Sequence, residues 1–351
     1  MYKIAVIPGD GIGPEVINEG LKVLKRVSEI VGFSYEIKEY PFGSEHYLKT
    51  GELMPANILD EFKQMNAIYL GAIGDPRCEV GLVERGIIGA IRWGELDLYI
   101  NLRPIKLYAE HLCPLKDKKP EDIDIIAVRE NTEDLYTGIG GFLHKGTENE
   151  VAIQEMVYTR MGVERIVRYA FECARKRNKK KRVTLVDKAN AIRAMDIWTR
   201  VFKQVGEEYP DIEKDHAYID AACMWMIKNP EWFDVIVVNN VFGDIITDLG
   251  AVIQGGMGIA ASGNINPGQV SMFEPIHGSA PKHAGKGVAC PLAAIETVKM
   301  MLEFLGEPKA AQMIENAVAG LLRSKKITSI STSSGLKTSE IGDMVVETLT
   351  S

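Results

Sequence analysis

The chain opens with an apolar run that leads into a glycine-rich loop. Residues 2–7 are β-prone, and Gly9-Asp10-Gly11-Ile12-Gly13 follows them. Pro14 suits the first turn of a helix, where its missing N–H has no helical partner to lose. The next apolar side chains recur at steps of four, three and three, the spacing of one helical face, at Ile17, Leu21, Leu24 and Val27. The opening unit is therefore predicted to be a strand, a tight loop and a helix.

Short apolar runs recur along the rest of the chain, near residues 67–71, 97–101, 124–128, 183–187 and 234–238. Several segments between these runs show helical periodicity, and strands that alternate with helices predict an α/β fold. Residues 147–158 differ, because their side chains alternate like those of an exposed or antiparallel strand pair, after glycines at Gly138, Gly140 and Gly141. We expect this segment to form an arm outside the core.

The length and composition are those of a globular protein with two domains. A chain of 351 residues exceeds the size at which a single core usually stops growing. Hydrophobic residues make up 46% and charged residues 25%, which excludes a disordered or fibrous chain. The formal net charge of -7 excludes a general polyanion binder, because a phosphate backbone binds to a basic surface. We therefore expect no nucleic-acid partner.

Three features predict a cytoplasmic protein. The apolar runs are far shorter than the roughly 20 residues that a membrane-spanning helix needs, so we expect no transmembrane helix and no membrane partner. The N-terminus runs straight into the first strand without a signal-peptide cleavage pattern. The five cysteines are scattered without paired spacing, which favours reduced thiols.

The glycine loop is a weak match to a dinucleotide-binding fingerprint. Its spacing is Gly-x-Gly-x-Gly, so Pro14 stands where the third glycine of Gly-x-Gly-x-x-Gly would be. A tight turn explains the loop at least as well.

Two aspartates mark a candidate metal site. Asp244 and Asp248 stand four residues apart, which places both carboxylates on one face of a helix. Two carboxylates so near each other repel unless a cation binds between them. Oxygen ligands of this kind suit Mg²⁺ or Mn²⁺. A solvated acidic helix face explains the spacing equally well.

Three arginines stand at or near predicted strand ends, namely Arg92, Arg103 and Arg129. A guanidinium binds a carboxylate through two hydrogen bonds, so converging arginines fit a substrate with two carboxylates, although each alone fits a surface ion pair. Tyr136 and Lys188 are side chains able to move protons beside a metal. From the residues alone, a structural role for these two is the simpler interpretation.

Several motifs, in order along the chain, resemble those of the β-decarboxylating dehydrogenase family. They are Gly9-Asp10-Gly11-Ile12-Gly13-Pro14-Glu15, Asn101-Leu102-Arg103-Pro104, Arg129-Glu130-Asn131-Thr132-Glu133, Phe242-Gly243-Asp244-Ile245-Ile246-Thr247-Asp248-Leu249 and Glu274-Pro275-Ile276-His277-Gly278-Ser279-Ala280-Pro281. The resemblance spans almost the whole chain. The family includes isocitrate, isopropylmalate, homoisocitrate and tartrate or D-malate dehydrogenases, and the character of this chain is closest to the isopropylmalate and tartrate/D-malate groups.

The resemblance implies a two-domain α/β fold of the isocitrate/isopropylmalate dehydrogenase type, which is not a Rossmann fold. One domain would comprise residues 1–98 and 254–351 and would contain both termini and the cofactor side. The other, residues 99–253, would carry the arm and the dimer interface. The resemblance also implies a homodimer whose active sites are shared between subunits.

The resemblance further implies a role for each candidate residue. Arg103 and Arg129, joined by Arg92, would bind the carboxylates of a small hydroxy-dicarboxylate substrate. Tyr136 would protonate the enol, and Lys188 of the partner subunit would take the hydroxyl proton. Mg²⁺ or Mn²⁺ would be held by Asp244, Asp248 and the partner's Asp220.

The cofactor residues implied by the resemblance are Ile12, His277, Gly278, Ala280, Lys282, His283 and Cys290. Two depart from the family pattern, because lysine stands at 282 where NAD-dependent relatives carry aspartate, and Cys290 stands where an asparagine is usual. A lysine pairs with the 2′-phosphate of NADP, whereas residues 327–334 lack the tyrosine and arginine of NADP-dependent relatives. We therefore expect both NADP and NAD to be used, with NADP slightly favoured.

The substrate is expected to depend on residues 84–93. Gly86-Ile87-Ile88-Gly89-Ala90-Ile91 is apolar, which favours an alkyl substituent and 3-isopropylmalate, although Arg85 and Trp93 suit a polar one. Isocitrate, homoisocitrate, tartrate and D-malate remain alternatives. The spacing of Arg92 and Arg103 exceeds the family spacing by one residue. A non-catalytic regulatory subunit is the alternative from another class, although Tyr136, Lys188 and the three aspartates are all present.

Overall fold

The computed structural model describes residues 1–349. Its strands are β1 (Tyr2–Gly9), β2 (Tyr35–Glu39), β3 (Ala67–Ala72), β4 (Ile100–Lys106), β5 (Asp124–Glu130), β6 (Gly140–Leu143), β7 (Val151–Gln154), β8 (Arg182–Asp187), β9 (Glu213–Tyr218), β10 (Val235–Val238), β11 (Ala261–Ile265) and β12 (Ser271–Pro275).

The α-helices are α1 (Gly13–Val31), α2 (Ser44–Thr50), α3 (Ile58–Phe62), α4 (Leu82–Glu84), α5 (Ala90–Trp93), α6 (Arg160–Arg177), α7 (Asp196–Gly206), α8 (Ile219–Lys228), α9 (Asn240–Ile253), α10 (Leu292–Leu305), α11 (Pro308–Arg323) and α12 (Thr338–Thr348). A π-helical turn, Arg85–Gly89, joins α4 to α5. Short 3₁₀ turns include Asp134–Thr137 and Pro281–His283.

Ten of these strands form one mixed sheet with the order β2-β1-β3-β12-β11-β4-β5-β10-β8-β9. The first five come from residues 1–98 and 254–351, and the last five come from residues 99–253. β11 and β4 join the two halves in antiparallel pairing. The division of the chain into two domains at these residues stays a prediction.

The helices cover the sheet as the hydrophobic pattern predicts. In α1, Ile17, Leu24 and Val27 are fully buried, and Leu21 packs against the same core as a partly buried side chain. α1 contacts α10, α11 and α12 in the first half of the sheet, whereas α6 and α7 pack together over the second half. The predicted α/β class is therefore confirmed.

The glycine loop is a tight turn between β1 and α1, and the sheet beside it is not that of a Rossmann domain. Gly11 has a φ of 59°, and a Cβ there would lie 1.9 Å from the carbonyl oxygen of Ser279. The amide of Ile12 donates to that same carbonyl. Position 11 therefore has to be glycine, because the backbone of Ser279, just before the 3₁₀ turn Pro281–His283, packs directly against it.

Two expectations about local structure have different outcomes. The exposed antiparallel strand pair is confirmed for β6 and β7, whose residues are all exposed, but the expected arm ends too late, because Met156 and Tyr158 pack against the core. The strand expected at residues 97–101 is wrong at its start, because β4 begins at Ile100. Asp97 has a φ of 43°, and Arg165 holds its carboxylate through two hydrogen bonds, so the chain turns there before it extends.

The structure bears on two further expectations from the sequence. All five cysteines are free. Among the residues described, no helix is both long enough and apolar enough to cross a membrane.

Candidate active site

A cavity of about 660 Å³ lies between the 84–93 segment and the ends of β5 and β10. One wall is formed by Glu84, Arg85, Ile88, Gly89, Arg92 and Trp93. The opposite wall includes Arg129, Asn131, Leu135, Tyr136, Asn240 and Asp244. Arg92, Arg129 and Tyr136 therefore share one cavity with Asp244 of α9, whereas Arg103 and Lys188 do not line it.

Only some side chains of the 84–93 segment face the cavity. Ile87 and Ile91 are fully buried in the core on the other side, so only Ile88 of the three isoleucines lines the cavity. The expectation of an apolar surface over 86–91 was therefore too broad. Leu135, which the sequence analysis did not single out, supplies apolar surface from the opposite wall.

Arg103 and Arg129 are buried and bind groups on α9. Arg103 donates to Thr247 Oγ1 at 2.6 Å and lies 3.6 Å from Asp244 and 3.7 Å from Asp248. Arg129 donates to Asn240 Oδ1 and forms an ion pair with Asp244. Burial, together with the charges of Arg129 and Arg92, lowers the pKa of Arg103 to about 9. Arg103 is therefore a buried cation that repels the neighbouring guanidinium groups and depends on nearby anions and acceptors.

Arg92 lies on the same cavity despite its unusual spacing. Its guanidinium pairs with the buried carboxylate of Glu274 on β12. Its charge also lowers the pKa of Arg129, after the larger effect of burial. Arg92 therefore belongs electrostatically to the arginine cluster.

Asp244 and Asp248 occupy one face of α9, as the spacing predicts. Burial opposes ionisation of Asp244, but Arg129 and Arg103 outweigh it and lower the pKa of its carboxyl. The pKa of Asp248 is instead raised by burial and by the charge of Asp244, with Arg103 offsetting part of this. Within residues 1–349 no cluster of three histidine, cysteine or acidic side chains is placed to hold a metal ion.

Lys188 and Asp220 form a second, separate pair. Lys188 follows β8 and Asp220 opens α8, and their side chains are joined by a hydrogen bond of 2.6 Å. Lys188 lowers the pKa of Asp220. Neither side chain makes a polar contact with Asp244, Asp248 or Tyr136 among the hydrogen bonds and ion pairs of the described chain. One protomer thus divides the predicted residues into two groups.

Tyr136 lies against both the arginines and α9. Its hydroxyl donates to Asp244 Oδ2 at 3.3 Å, and the guanidinium of Arg129 is 5.7 Å from its ring centroid. Burial and Asp244 raise the pKa of Tyr136, so the phenol stays protonated and able to act as an acid. Trp93 stacks on the same ring, and its Nε1 donates to the backbone oxygen of Asn131 at 2.8 Å.

A second cavity, of about 690 Å³, contains five of the seven predicted cofactor residues: Ile12, His277, Gly278, Ala280 and Cys290. Lys282 is exposed, and neither it nor His283 lines the cavity. The opposite wall comes from the glycines at 255, 256 and 258 and from residues 328–332, which the sequence analysis did not assign to cofactor contact.

His277 is the polar group best suited to bind a ligand in this second cavity. Burial lowers the pKa of His277, so its imidazole is neutral near pH 7. Its Nε2 is buried and has no hydrogen-bond partner in the part of the chain that the structure describes. A buried polar atom without a partner is costly, so a nucleotide that bonds to it would relieve that cost.

Comparison with known proteins identifies the same architecture. A sequence model described as isocitrate/isopropylmalate dehydrogenase matches residues 3–345. A 3-isopropylmalate dehydrogenase of Thermobifida fusca is 49% identical over 98% of this chain and 97% of its own length. One of Rhodococcus erythropolis is 48% identical over 99% of this chain and 100% of its own.

Solved structures with the same fold include an isocitrate dehydrogenase from Methylococcus capsulatus. It has a TM-score of 0.89 and 36% identity, with 99% of both chains covered. A β-decarboxylating dehydrogenase from Thermococcus kodakarensis has a TM-score of 0.82 and 34% identity over 99% of this chain and 96% of its own.

The charge balance on α9 predicts different free energies of unfolding for two matched variants, both measured in the presence of a metal chelator. Asp244→Asn removes the counter-charge of two buried guanidinium groups and should lower the free energy of unfolding by about 1 kcal/mol after solvent screening. Asp248→Asn should be neutral or slightly stabilising, because the raised pKa of Asp248 means that its charge is disfavoured. Thermal denaturation at neutral pH compares them.

The pH dependence follows from the lowered pKa of Asp244. Its contribution is present above the unfolded-state pKa and is lost as the pH falls through the lower folded-state pKa. The difference between the parent and Asp244→Asn should therefore shrink in acid. A larger loss for Asp248→Asn than for Asp244→Asn would contradict this charge balance.

Proposed function

The chain belongs to the isocitrate/isopropylmalate dehydrogenase family, and we propose that its substrate is 3-isopropylmalate. It is a decarboxylating dehydrogenase that acts on a CH–OH group. The observation that carries the substrate proposal is one cavity lined both by Arg92 and Arg129 and by the apolar side chains of Ile88, Leu135 and Trp93. Those apolar side chains suit a branched alkyl group, whereas the arginines suit two carboxylates.

The arginine cluster would bind and orient the malate part of the substrate. Arg103 and Arg129 are buried and held by Thr247 and Asn240, so their guanidinium planes are fixed before the substrate arrives. Two carboxylates would offset the repulsion among the guanidinium groups. Fixed donors of this kind lower the entropy cost of binding and keep the reacting carbon in place.

The donor set on α9 fits a divalent cation. Asp244 and Asp248 are hard oxygen ligands on one helical face, which suits Mg²⁺ or Mn²⁺, and the choice between them is open. A bound cation would lower the pKa of the substrate hydroxyl and stabilise negative charge after carbon dioxide is lost. Asp220 of the partner subunit is our proposed third ligand, because the described residues of one protomer supply no third acidic side chain nearby.

Two side chains would move the protons. Lys188 of the partner subunit would take the hydroxyl proton while hydride passes to the nicotinamide, which leaves a β-keto acid that loses carbon dioxide. Tyr136 would then return a proton to carbon, a role that its raised pKa supports. The presence of both residues removes the basis for the alternative of a non-catalytic subunit.

A homodimer with shared sites is the assembly that we propose, and both this division of residues and exposed apolar surface support it. Met224 and Ile227 are exposed on α8, and Ile245 and Val252 are exposed on one face of the neighbouring α9. The arm adds exposed Phe142, Leu143, Val151 and Ile153. Apolar surface of this extent next to Asp220 and Asp244 fits a subunit interface that completes the site.

The choice between nicotinamide cofactors rests on a single lysine. The family supports NAD, and a slight preference for NADP is our proposal. Lys282 forms no ion pair within residues 1–349, so its charge is available, and it follows Ala280 of the cavity by two residues. Because Lys282 is exposed and does not line the cavity, it would contact the 2′-phosphate of NADP only as one flexible, solvated cation.

A cytoplasmic location is likewise proposed. Its support is the set of five free cysteines, since reduced thiols persist in a reducing compartment.

A substrate with an anionic substituent in place of the alkyl group is the second candidate, because Arg85 lines the same cavity. Arg85 is exposed and forms no ion pair in the described chain, so it is free to bind a third carboxylate such as that of isocitrate or homoisocitrate. Glu84, its neighbour on the same wall, opposes this by its charge. We therefore rank the alkyl substrate first.

A steady-state screen of 3-isopropylmalate, isocitrate, homoisocitrate, D-malate and tartrate tests the substrate. We expect the highest kcat/KM for 3-isopropylmalate, with Arg85→Leu changing it less than about threefold and Ile88→Ser lowering it about tenfold, since one lost apolar contact costs 1–3 kcal/mol. If isocitrate or homoisocitrate is preferred and Arg85→Leu lowers that activity about a hundredfold, the second candidate replaces the first.

Mixing inactive subunits tests the shared site. Lys188→Ala and Tyr136→Phe dimers should each be inactive, but a heterodimer contains one composite site with neither change. Subunit exchange should restore about a quarter of the parent activity, because about half of the dimers are mixed and each has one intact site. If mass spectrometry demonstrates subunit exchange and activity is still not recovered, a shared site is contradicted.

The cofactor preference is tested by Lys282→Asp. One charge-assisted contact is worth about 1.5–3 kcal/mol, so we expect the ratio of kcat/KM for NADP to that for NAD to fall about tenfold or more in the variant. The control is Lys286→Asp, an exposed lysine of the same loop that should leave the ratio unchanged. A parent that strongly prefers NAD, or an unchanged ratio, would show that Lys282 does not contact the 2′ position.

A further inference from the structure

Asp134 opens the 3₁₀ turn that carries Tyr136, and its backbone is strained. The residue is fully buried and has a φ of 74°, in the left-handed region that favours glycine. Such a conformation costs a non-glycine residue on the order of 1 kcal/mol and persists only where the surroundings impose it. The side chain of Asp134 must therefore make contacts that glycine lacks.

The carboxylate of Asp134 is saturated with hydrogen bonds from three segments. Its Oδ2 accepts from the amide of Val241 at 2.9 Å and from the side-chain nitrogen of Asn239. Its Oδ1 accepts from the amide of Leu135 at 2.9 Å and from the hydroxyl of Tyr158 at 3.1 Å. A carboxylate with four donors in a dry site is held in one orientation.

One of those bonds caps the helix that carries the aspartates of the site. α9 begins at Asn240, and the side chain of Asn239, at the N-cap position, does not cap it. The carboxylate of Asp134 bonds to Val241 in the first turn instead, where the helix dipole favours negative charge. The cap of α9 therefore comes from the turn that carries Tyr136.

We propose that Asp134 is the positioning residue that holds the Tyr136 hydroxyl against Asp244. Its carboxylate ties the turn to the start of α9, and Asp244 lies in the second turn of that helix. The bond from Tyr136 to Asp244, at 3.3 Å, is long enough that a small shift of the turn breaks it. The inference rests on the proposed function in one respect, since it is that function that makes Tyr136 the acid.

A neighbouring buried carboxylate provides a matched control. Glu133 accepts from the amide and hydroxyl of Thr159, the N-cap residue of α6, and does not bond to α9 through its side chain. Glu133→Gln thus disturbs a buried carboxylate of the same loop without releasing the cap of α9.

The test compares Asp134→Gly, Asp134→Asn and Glu133→Gln. Glycine keeps the left-handed backbone and loses every side-chain bond, whereas asparagine tolerates the same φ and keeps one acceptor oxygen. We expect kcat to fall about tenfold or more in Asp134→Gly, with KM for the substrate within about threefold, and Asp134→Asn to recover most of the loss. Glu133→Gln should keep kcat within about threefold of the parent.

A step-specific readout separates positioning from general damage. Tyr136 acts after hydride transfer, so the rate of the first turnover of reduced nicotinamide should be unchanged in Asp134→Gly while steady-state turnover slows. The solvent deuterium isotope effect on kcat should rise, because proton return becomes rate-limiting. Equal losses in the hydride step and in turnover, or equal effects of Glu133→Gln, would overturn the assignment.

Crystal structures of the parent and of Asp134→Gly decide the positioning claim independently of any substrate. We expect the Tyr136 hydroxyl to leave Asp244 and the first turn of α9 to loosen in the variant. Tyr136 and α9 unchanged in that structure would overturn the inference even if the parent oxidises 3-isopropylmalate. A parent inactive on every malate, with Tyr136 displaced in the variant, would instead refute the proposed function and leave the positioning role supported.

Discussion

The guanidinium groups of Arg92, Arg103 and Arg129 act on one another electrostatically at the candidate site, and several of the other groups there balance their charge. Arg103 and Arg129 are buried, and nearby guanidinium charge lowers the pKa of both, from Arg129 and Arg92 at Arg103 and from Arg92 at Arg129. Burial of like charges is tolerated only with close counter-charges and hydrogen-bond acceptors. The structure supplies them from two directions, with Asp244 on α9 beside Arg129 and Glu274 on β12 beside Arg92.

That balance explains why the aspartates of α9 differ although they share a helical face. Asp244 lies where two arginines favour its charge, whereas Asp248 is 3.7 Å from Arg103 and has Asp244 as a neighbour. Incoming carboxylates would compete with Asp244 for the arginines and release its oxygens for another ligand. A bound substrate and a bound cation would therefore complement each other electrostatically. The substrate carboxylates would balance the arginines, and the cation would balance the charge of Asp244.

The sequence predicts those parts of the molecule that depend on local periodicity. The face of α1 and the i, i+4 aspartates of α9 were predictable because helical spacing determines them. The burial of Ile87 and Ile91 was not, because their spacing places them on one helical face without showing whether that face packs on the core or lines the cavity. The acceptors of Arg103 and Arg129 were missed for another reason: Thr247 and Asn240 lie more than a hundred residues away along the chain.

The two halves of the sheet are joined beneath the cavity by amide side chains rather than by apolar packing alone. Asn264 on β11 accepts from Asn101 on β4 and from Asn131 after β5, and it donates to Glu274, the partner of Arg92. The backbone oxygen of the same Asn131 accepts the indole N–H of Trp93, which stacks on Tyr136. Buried amides hold their neighbours in one register because any slip leaves a donor or acceptor unpaired.

This network gives the site a rigid base that spans both halves of the sheet. Arg92 of the first half pairs with Glu274, which accepts from Asn264. Asn131 of the second half donates to the same Asn264 and accepts from Trp93, which stacks on Tyr136. A change in the relative position of the halves would therefore disturb Arg92 and Tyr136 together. The antiparallel pairing of β4 and β11 therefore bears on the site as well as on the fold, because it fixes how the two halves of the sheet meet.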